Sequence, residues 1–311
     1  MTEVLRVRKP GLFTTVQDLG RPNAISAGVP PGGAMDRFAH RAANILVGND
    51  EGAATLECTL SGPELVALQP CLVAIAGADL DPRVNGQSEP MWTGMFLSEG
   101  DELSFGARRW GARAYLAVAG GIAGDRWLGS VSTNLMASRG GMHGRQLVAG
   151  DLVSVAGHAS TPAISGRQLG YHLRPAYDDH TVRAIIGPHI KRLGPDGRKT
   201  LFGSIFRVSR DADRMGYRLE GPTLDASGDE LLSFGLTAGA VQVPHGGQPI
   251  LLMADHQTAG GYPVVATVAS AAMPVAAQLM PGDEVAFAEI SLEAALRMRA
   301  AQRSALDSVM S

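Results

Sequence analysis

Only two cysteines, Cys58 and Cys71, occur in 311 residues, and no CxxC spacing is present. Two thiols cannot staple a chain of this length, so a disulfide framework is excluded and a reducing cytoplasm is the expected compartment. Aromatic residues are sparse at 5% and Lys is scarce, and the net charge of −3 leaves no excess of either sign. Neither nucleic acid nor an anionic membrane is therefore an electrostatically favoured partner. Met1 to Lys9 mixes charges with single apolar residues, which rules out a secretory core segment there. A run without Asp, Glu, Lys or Arg extends from His256 to Gly282. Its glycines, prolines and small side chains make it too weakly apolar for a membrane span, and it reads as buried core beside a functional loop.

What is abundant is glycine, with 39 residues, together with 18 prolines and an apolar share of 45%. That combination suits a turn-rich, mostly β protein with a sizeable core. Short apolar strands are expected at Val4–Val7, Ala114–Val118, Leu152–Val155, Val182–Ile186, Ile205–Val208, Ile250–Met253 and Val285–Ala288. Glu64–Leu68 and Cys71–Ala76 read as a hairpin across Gln69-Pro70. Two segments have helical periodicity. Met35 to Val47 puts Met35, Phe38, Ala39, Ala42, Ile45 and Leu46 on one face and stops at Gly48-Asn49. Ser291 to Arg303 opens on a candidate N-cap, Ser291, and ends in arginines.

An internal echo bears on domain organisation. Gly62-Pro63-Glu64-Leu65 reappears as Gly221-Pro222-Thr223-Leu224, and the segment 97–105 (LSEGDELSF) reappears as 279–287 (LMPGDEVAF). The second copy is longer, and a Gly-rich polar segment falls within its extra length. The pattern predicts two related barrel-like halves, 1–165 and 166–311, joined near residues 157–180.

Several familiar motifs are absent. The stretch Gly194-Pro195-Asp196-Gly197-Arg198-Lys199-Thr200 lacks the Gly before Lys and the gap of a phosphate loop, and is expected to be a surface turn. GxGxxG, GxSxG, HExxH and Met-Lys-Met do not occur. The eight histidines, His40, His143, His158, His172, His180, His189, His245 and His256, show no ligand spacing, so no protein metal site is expected.

Three constellations carry chemistry. In the first, Gln17, Asp18 and Arg21 place an amide, a carboxylate and a guanidinium around Gly20, and Gly32-Gly33 precede a helix N-terminus suited to an anion. The alternative is a structural turn whose donors Asp36 already satisfies. In the second, Arg210, Arg214 and Arg218 could hold an anion bidentately, or could pair with Asp211 and Asp213 in a solvated turn. In the third, Gln242 and His245 are followed by Asp255, His256, Gln257, Thr258, Gly260, Gly261 and Tyr262 at the end of an apolar strand. Groups packed so densely must satisfy one another or face a ligand. Asp255, His256 and Gln257 are the candidate catalytic residues, with Thr258 and the Gly260–Gly261 amides as candidate oxyanion donors.

The strings Thr14-Thr15-Val16-Gln17-Asp18-Leu19-Gly20-Arg21, Asp213-Arg214-Met215-Gly216-Tyr217-Arg218-Leu219 and Gln257-Thr258-Ala259-Gly260-Gly261-Tyr262-Pro263 each resemble one family. It is the allophanate hydrolase subunit 2 family, which includes the C-type subunit of 5-oxoprolinase, the Kip-type sporulation antagonist and the carboxyltransferase region of urea carboxylase. The resemblance runs from about Leu5 to Phe287, and Asn44, Leu46-Val47-Gly48-Asn49 and Leu56-Glu57 fit it too. It implies a cyclophilin-like β-barrel fold. It also implies a B-type (KipI-like) partner and, for a 5-oxoprolinase, an A-type (LamB/YcsF-like) partner. Such a complex uses ATP to open 5-oxoproline to glutamate, its ATP site lying at no position the sequence locates. In the alternative, a urea or allophanate carboxyltransferase, biotin would come in trans; in a third, the chain is a non-catalytic regulator binding a B-type partner. Substrate contacts would then fall on Gln17, Asp18, Arg21, Gly32, Gly33, Asp213, Arg214, Arg218, Gln242, Thr258, Gly260, Gly261 and Tyr262, converging from both halves. The sequence departs from the family pattern at Phe234, where an acid is usual, at His256 for Arg, at Ala212 for Ser and at Ala272 for Asp.

Overall fold

The computed structural model describes residues 1–157, 164–229 and 231–310. His158 and part of the expected join lie outside them. Two compact units are present. One contains Met1–Arg21, Gly32–Arg174 and the chain from residue 304; the other contains Pro22–Pro31 and Pro175–Arg303.

The first unit is built from two sheets facing one core. A six-stranded sheet has the order Leu152–Val155, Thr2–Lys9, Glu64–Ala67, Glu102–Phe105, Pro82–Val84, Gln87–Ser88. A five-stranded sheet has the order Phe13–Gln17, Thr55–Thr59, Trp110–Val118, Cys71–Asp79, Gly94–Leu97. Val4, Leu5, Leu65 and Leu103 from the first meet Leu56, Val73, Ile75 and Leu116 from the second in one buried cluster. Glu64–Ala67 and Cys71–Asp79 thus belong to different sheets, and the hairpin expected across Gln69-Pro70 does not form. Cys71–Asp79 is buried along almost its whole length. One of its faces meets the core and the other lies under helix α1 (Arg37–Leu46), so it pairs with strands of its own sheet on both edges. Helix α1 starts at Arg37, two residues after the expected Met35, because Asp36 caps it, its side chain accepting the Ala39 N–H at 2.9 Å.

In the second unit seven strands close a barrel in the order Thr181–Ile186, Val264–Val268, Ala240–Gln242, Ile250–Leu252, Gly216–Glu220, Ile205–Val208, Glu284–Glu289. All neighbours are antiparallel except the closing pair, Thr181–Ile186 with Glu284–Glu289, which is parallel. Alternation does the sorting: in Ile205–Val208 the second and fourth residues are buried and the others exposed. Phe206 and Phe287 meet inside, ring centroids 6.1 Å apart.

Three further helices belong to the described residues: α2 (Gly194–Gly203), α3 (Met273–Ala277) and α4 (Leu292–Met310). Helix α2 replaces the surface turn expected at Gly194–Thr200. Pro195 sits in its first turn, where a missing N–H costs nothing, and its buried Leu201 gives the segment a reason to stay helical. Ser291 caps α4 by accepting the Ala294 N–H at 3.1 Å, and the helix runs beyond the expected Arg303. The uncharged run becomes the strand Val264–Val268 and the buried helix α3. No described helix is long and apolar enough to cross a membrane.

The echoed strings have a local cause. Asp101 accepts the Ser98 N–H at 2.7 Å, Asp283 accepts the Met280 N–H at 3.0 Å, and the glycines before them, Gly100 and Gly282, have φ of 88° and 95°. Both are strand-opening turns that need a left-handed residue. The same turn occurs again inside the first unit, where Asp151 accepts the Val148 N–H at 2.8 Å after Gly150 at φ 92°.

Candidate functional site

In the first unit, Asp18 is a hub. One of its oxygens accepts from the Gly20 N–H at 2.7 Å and from the hydroxyls of Ser130 and Ser132 at 2.6 Å each, and the other accepts the Val131 N–H at 2.7 Å. A carboxylate so saturated locks the 17–21 turn to the 130–132 segment. Arg21 is 2% exposed, donates to the Ser132 carbonyl and lies 5.0 Å from the Trp127 ring centroid. Gln17, also buried, donates to the Thr15 hydroxyl at 3.0 Å. Gly33 supplies backbone approach: at φ 90°, a Cβ there would sit 2.7 Å from the Gly20 nitrogen. Gly32 has φ 64°. Asp36 has taken the Ala39 N–H, one of the free donors in the first turn of α1, as the structural alternative for this constellation requires.

In the second unit the two later constellations come together. Arg214 forms a two-point pair with Asp255, Nε to Oδ2 at 2.8 Å and Nη2 to Oδ1 at 3.2 Å. The backbone joins in, with the Asp255 N–H donating to the Arg214 carbonyl at 2.8 Å. Asp213 instead accepts the Met215 and Gly216 N–H groups of its own turn. Arg210 and Arg218 are exposed, and Arg214 is the one of the three that pairs with Asp255. His256 is 1% exposed and Nδ1 lies 2.7 Å from the Gln257 carbonyl, which can only accept, so Nδ1 carries the proton. Gln257 is exposed, and a Cβ at Gly260 would lie 3.0 Å from its Nε2 and 3.5 Å from that of buried Gln242. Two carboxamides therefore flank the Gly260 backbone. The Thr258 carbonyl accepts the Leu236 N–H at 2.9 Å, and Ala259–Gly260 pairs with Phe234–Gly235.

Beside this loop lies a cavity of about 340 Å³ whose lining includes Gly261, Tyr262, Pro263 and the 225–229 segment. Arg192, outside every motif singled out above, and His245, from the third constellation, add to its polar lining. Asp255, His256 and Gln257 do not line it. The volume suits a small-molecule ligand.

The carboxyltransferase domain model, subdomains A and B, matches residues 27–289. This chain belongs to that carboxyltransferase family. Within the family it is 39% identical to the C-type subunit of the Escherichia coli 5-oxoprolinase over 96% of both chains, and 33% identical to the Haemophilus influenzae protein of the same name over 99% of this chain and 97% of that one. The crystal structure of the K. lactis urea amidolyase superposes on 99% of this chain with a TM-score of 0.92 at 29% identity, and this chain spans 20% of that protein.

The carboxyltransferase-family strings around Asn44, Asn49 and Glu57 turn out to serve a buried polar layer beneath α1. Glu57 is fully buried and accepts from the Met35 N–H at 2.9 Å and the Tyr115 hydroxyl at 2.7 Å. Tyr115 in turn accepts the Asp36 N–H at 2.7 Å, and burial raises its pKa well above the usual 10. Asn44 accepts from Asn49, whose own side chain holds the Gly120 N–H and the Val118 carbonyl. His40 contacts the Thr55 hydroxyl at 2.9 Å. No motif pointed to His40 or Tyr115; their signal was a polar residue recurring on an otherwise apolar helix face or strand.

Burial pushes His40 down to about 3, against the opposing pull of Asp18. A base held neutral in this way contributes its full stability above its unfolded pKa near 6.5 and loses it as pH falls from there toward 3. The unfolded chain binds the extra proton in that window, so stability should fall by up to about 1.4 kcal/mol per pH unit. Urea unfolding between pH 7 and pH 4.5 should show a shallower acid loss for His40→Gln than for the parent. Parallel slopes would refute the assignment.

The four family departures have structural settings in this carboxyltransferase relative. Phe234 stacks near His189, centroids 5.0 Å apart, directly across the strand pair from Gly260. His256 is the buried, inward-turned ring described above. Ala272 is 2% exposed at the start of α3, and Ala212 lies half-buried in the arginine turn.

Proposed function

We propose that the chain is the C-type subunit of an ATP-dependent 5-oxoprolinase, acting with separate B-type and A-type subunits to open 5-oxoproline to glutamate. The reading is carried by coverage in both directions: the chain and its E. coli 5-oxoprolinase relative match end to end over 96% of each. The urea amidolyase, by contrast, contains this fold as a fifth of a longer polypeptide. The chemistry of the second-unit loop is compatible. Opening a lactam places negative charge on the carbonyl oxygen, and the cavity beside the loop carries side-chain donors, the Tyr262 phenol and the His245 imidazole, of the kind that such charge requires. In this reading Asp255, tied to Arg214, holds the loop, and His256, turned inward, shapes it; neither is free to shuttle protons without first breaking those contacts.

A second reading, transfer of a carboxyl group to urea from biotin supplied in trans, draws on the 0.92 superposition with the urea amidolyase. Co-expression with B-type and A-type subunits should give ATP-dependent glutamate release from 5-oxoproline. A folded, purified complex that releases none, yet accepts label from carboxybiotin, would replace the first reading by the second.

A further inference from the structure

The second-unit cavity is lined by functional groups that the rest of the fold does not use. Arg192 donates through Nη1 to two backbone carbonyls, Asp229 at 2.6 Å and Ser227 at 3.4 Å, and pairs with no carboxylate of the described residues. It is a cation fixed in place by uncharged oxygens, with its charge unspent. Around the same cavity, the exposed side chains of Asp225, Asp229, His245 and Tyr262 make no hydrogen bond among the described residues. His245 and Tyr262 are held edge to face, centroids 6.3 Å apart. The Val243 N–H donates to the Pro263 carbonyl at 3.0 Å, fixing the two chain segments that carry this pair. Leu231, Val243, Pro244 and Pro263 supply apolar surface between the polar ends.

A ligand for such a wall has to bring an anionic end for Arg192, N–H for a carboxylate and an acceptor oxygen for a phenol and an imidazole, on a compact apolar frame. We infer that this cavity binds a small cyclic amide bearing a carboxylate. The acid lies on Arg192, the ring N–H faces the Asp225 and Asp229 side, and the ring carbonyl faces Tyr262 and His245. The inference rests on the oxoprolinase reading and adds which residues meet which end of the substrate. Guanidinium and carboxylate match as a planar fork, which selects an acid over a neutral lactam. A phenol hydroxyl and imidazole N–H select a carbonyl over a bare ring.

The test uses the full chain and ligand-observed NMR titration with three probes: 5-oxoproline, 2-pyrrolidinone, which lacks the acid, and cyclopentanecarboxylate, which lacks the amide. 5-Oxoproline should bind at least about tenfold more tightly than either, the loss expected from one charge-assisted hydrogen bond. Tyr262→Phe and Asp225→Asn should each weaken it several-fold, and Arg192→Met should bring it to the level of 2-pyrrolidinone. If Arg192→Met melts early because Ser227 and Asp229 lose their donor, the probe series and the other two variants still decide. Equal binding of all three probes, no detectable binding of 5-oxoproline, or variants indistinguishable from the parent would each overturn the assignment. The reconstituted complex separates this failure from that of the function. Turnover with KM and kcat unchanged in Tyr262→Phe and Asp225→Asn would sink the cavity and keep the oxoprolinase; selective binding without turnover would do the reverse.

Discussion

Replacing Asp18 by Ala should cost the first unit roughly 3–5 kcal/mol, the largest single loss expected anywhere in the chain. The carboxylate takes four donors from two segments more than a hundred residues apart in sequence, and it is 7% exposed. Removing it leaves two hydroxyls and two backbone N–H groups in a place water reaches poorly, and each orphaned group costs about 1–3 kcal/mol before relaxation. Asp18→Asn keeps the size but turns an amide N–H toward donors, so it should fall between the parent and Ala. Denaturant unfolding followed through the first unit reads this directly. A loss below about 1 kcal/mol for Asp18→Ala would mean that the hub is dispensable.

The second large effect concerns catalysis. In the 5-oxoprolinase complex proposed above, Asp255→Ala should lower kcat/KM by about a hundredfold, because a loop displaced by about an ångström from its productive position loses that much. The loop's anchor is the two-point pair with Arg214, whose side chain is 11% exposed against 21% for Asp255. A double-mutant cycle with Arg214→Ala should return a coupling of about 1.5–3 kcal/mol in stability, the range for a well-aligned, partly desolvated pair. Additive single variants would show that the two residues act apart. Full activity in Asp255→Ala would remove the loop from the mechanism altogether.

How far the residues announced all this depends on the range of the interactions. Helix α1 was legible because its apolar face and its Gly48-Asn49 stop are local. The expected strands formed for the same reason, but others, among them Phe13–Gln17, Thr55–Thr59 and Gly216–Glu220, were not anticipated. The supposed hairpin at Gln69-Pro70 failed because alternation tells a strand from a helix but says nothing about which sheet it joins. The segment at Gly194 looked like a turn because Gly and Pro punctuate loops, whereas the buried side of Leu201 decided for helix α2. At the site, the pairing of Arg214 with Asp255 drew on two strings that did stand out, though nothing local linked them. Ser130 and Ser132 were invisible as partners of Asp18, since serine in a loop carries no periodicity. Arg192 and Asp225 escaped notice because single charged residues in ordinary turns look the same whether they face solvent or a cavity.

The parallel pair that closes the barrel joins its first strand, Thr181–Ile186, to its last, Glu284–Glu289. During synthesis the ribosome must therefore release nearly the whole second unit before the ring can be completed. Until then the nascent sheet has two open margins, each offering unpaired N–H and carbonyl groups to any neighbouring chain. Loop closure over such a separation is entropically slow, so this step governs when the unit matures. Truncation upstream of Glu284 would leave a permanently open sheet, whereas the strands of the two-sheet unit, all of which precede residue 156, could already have paired.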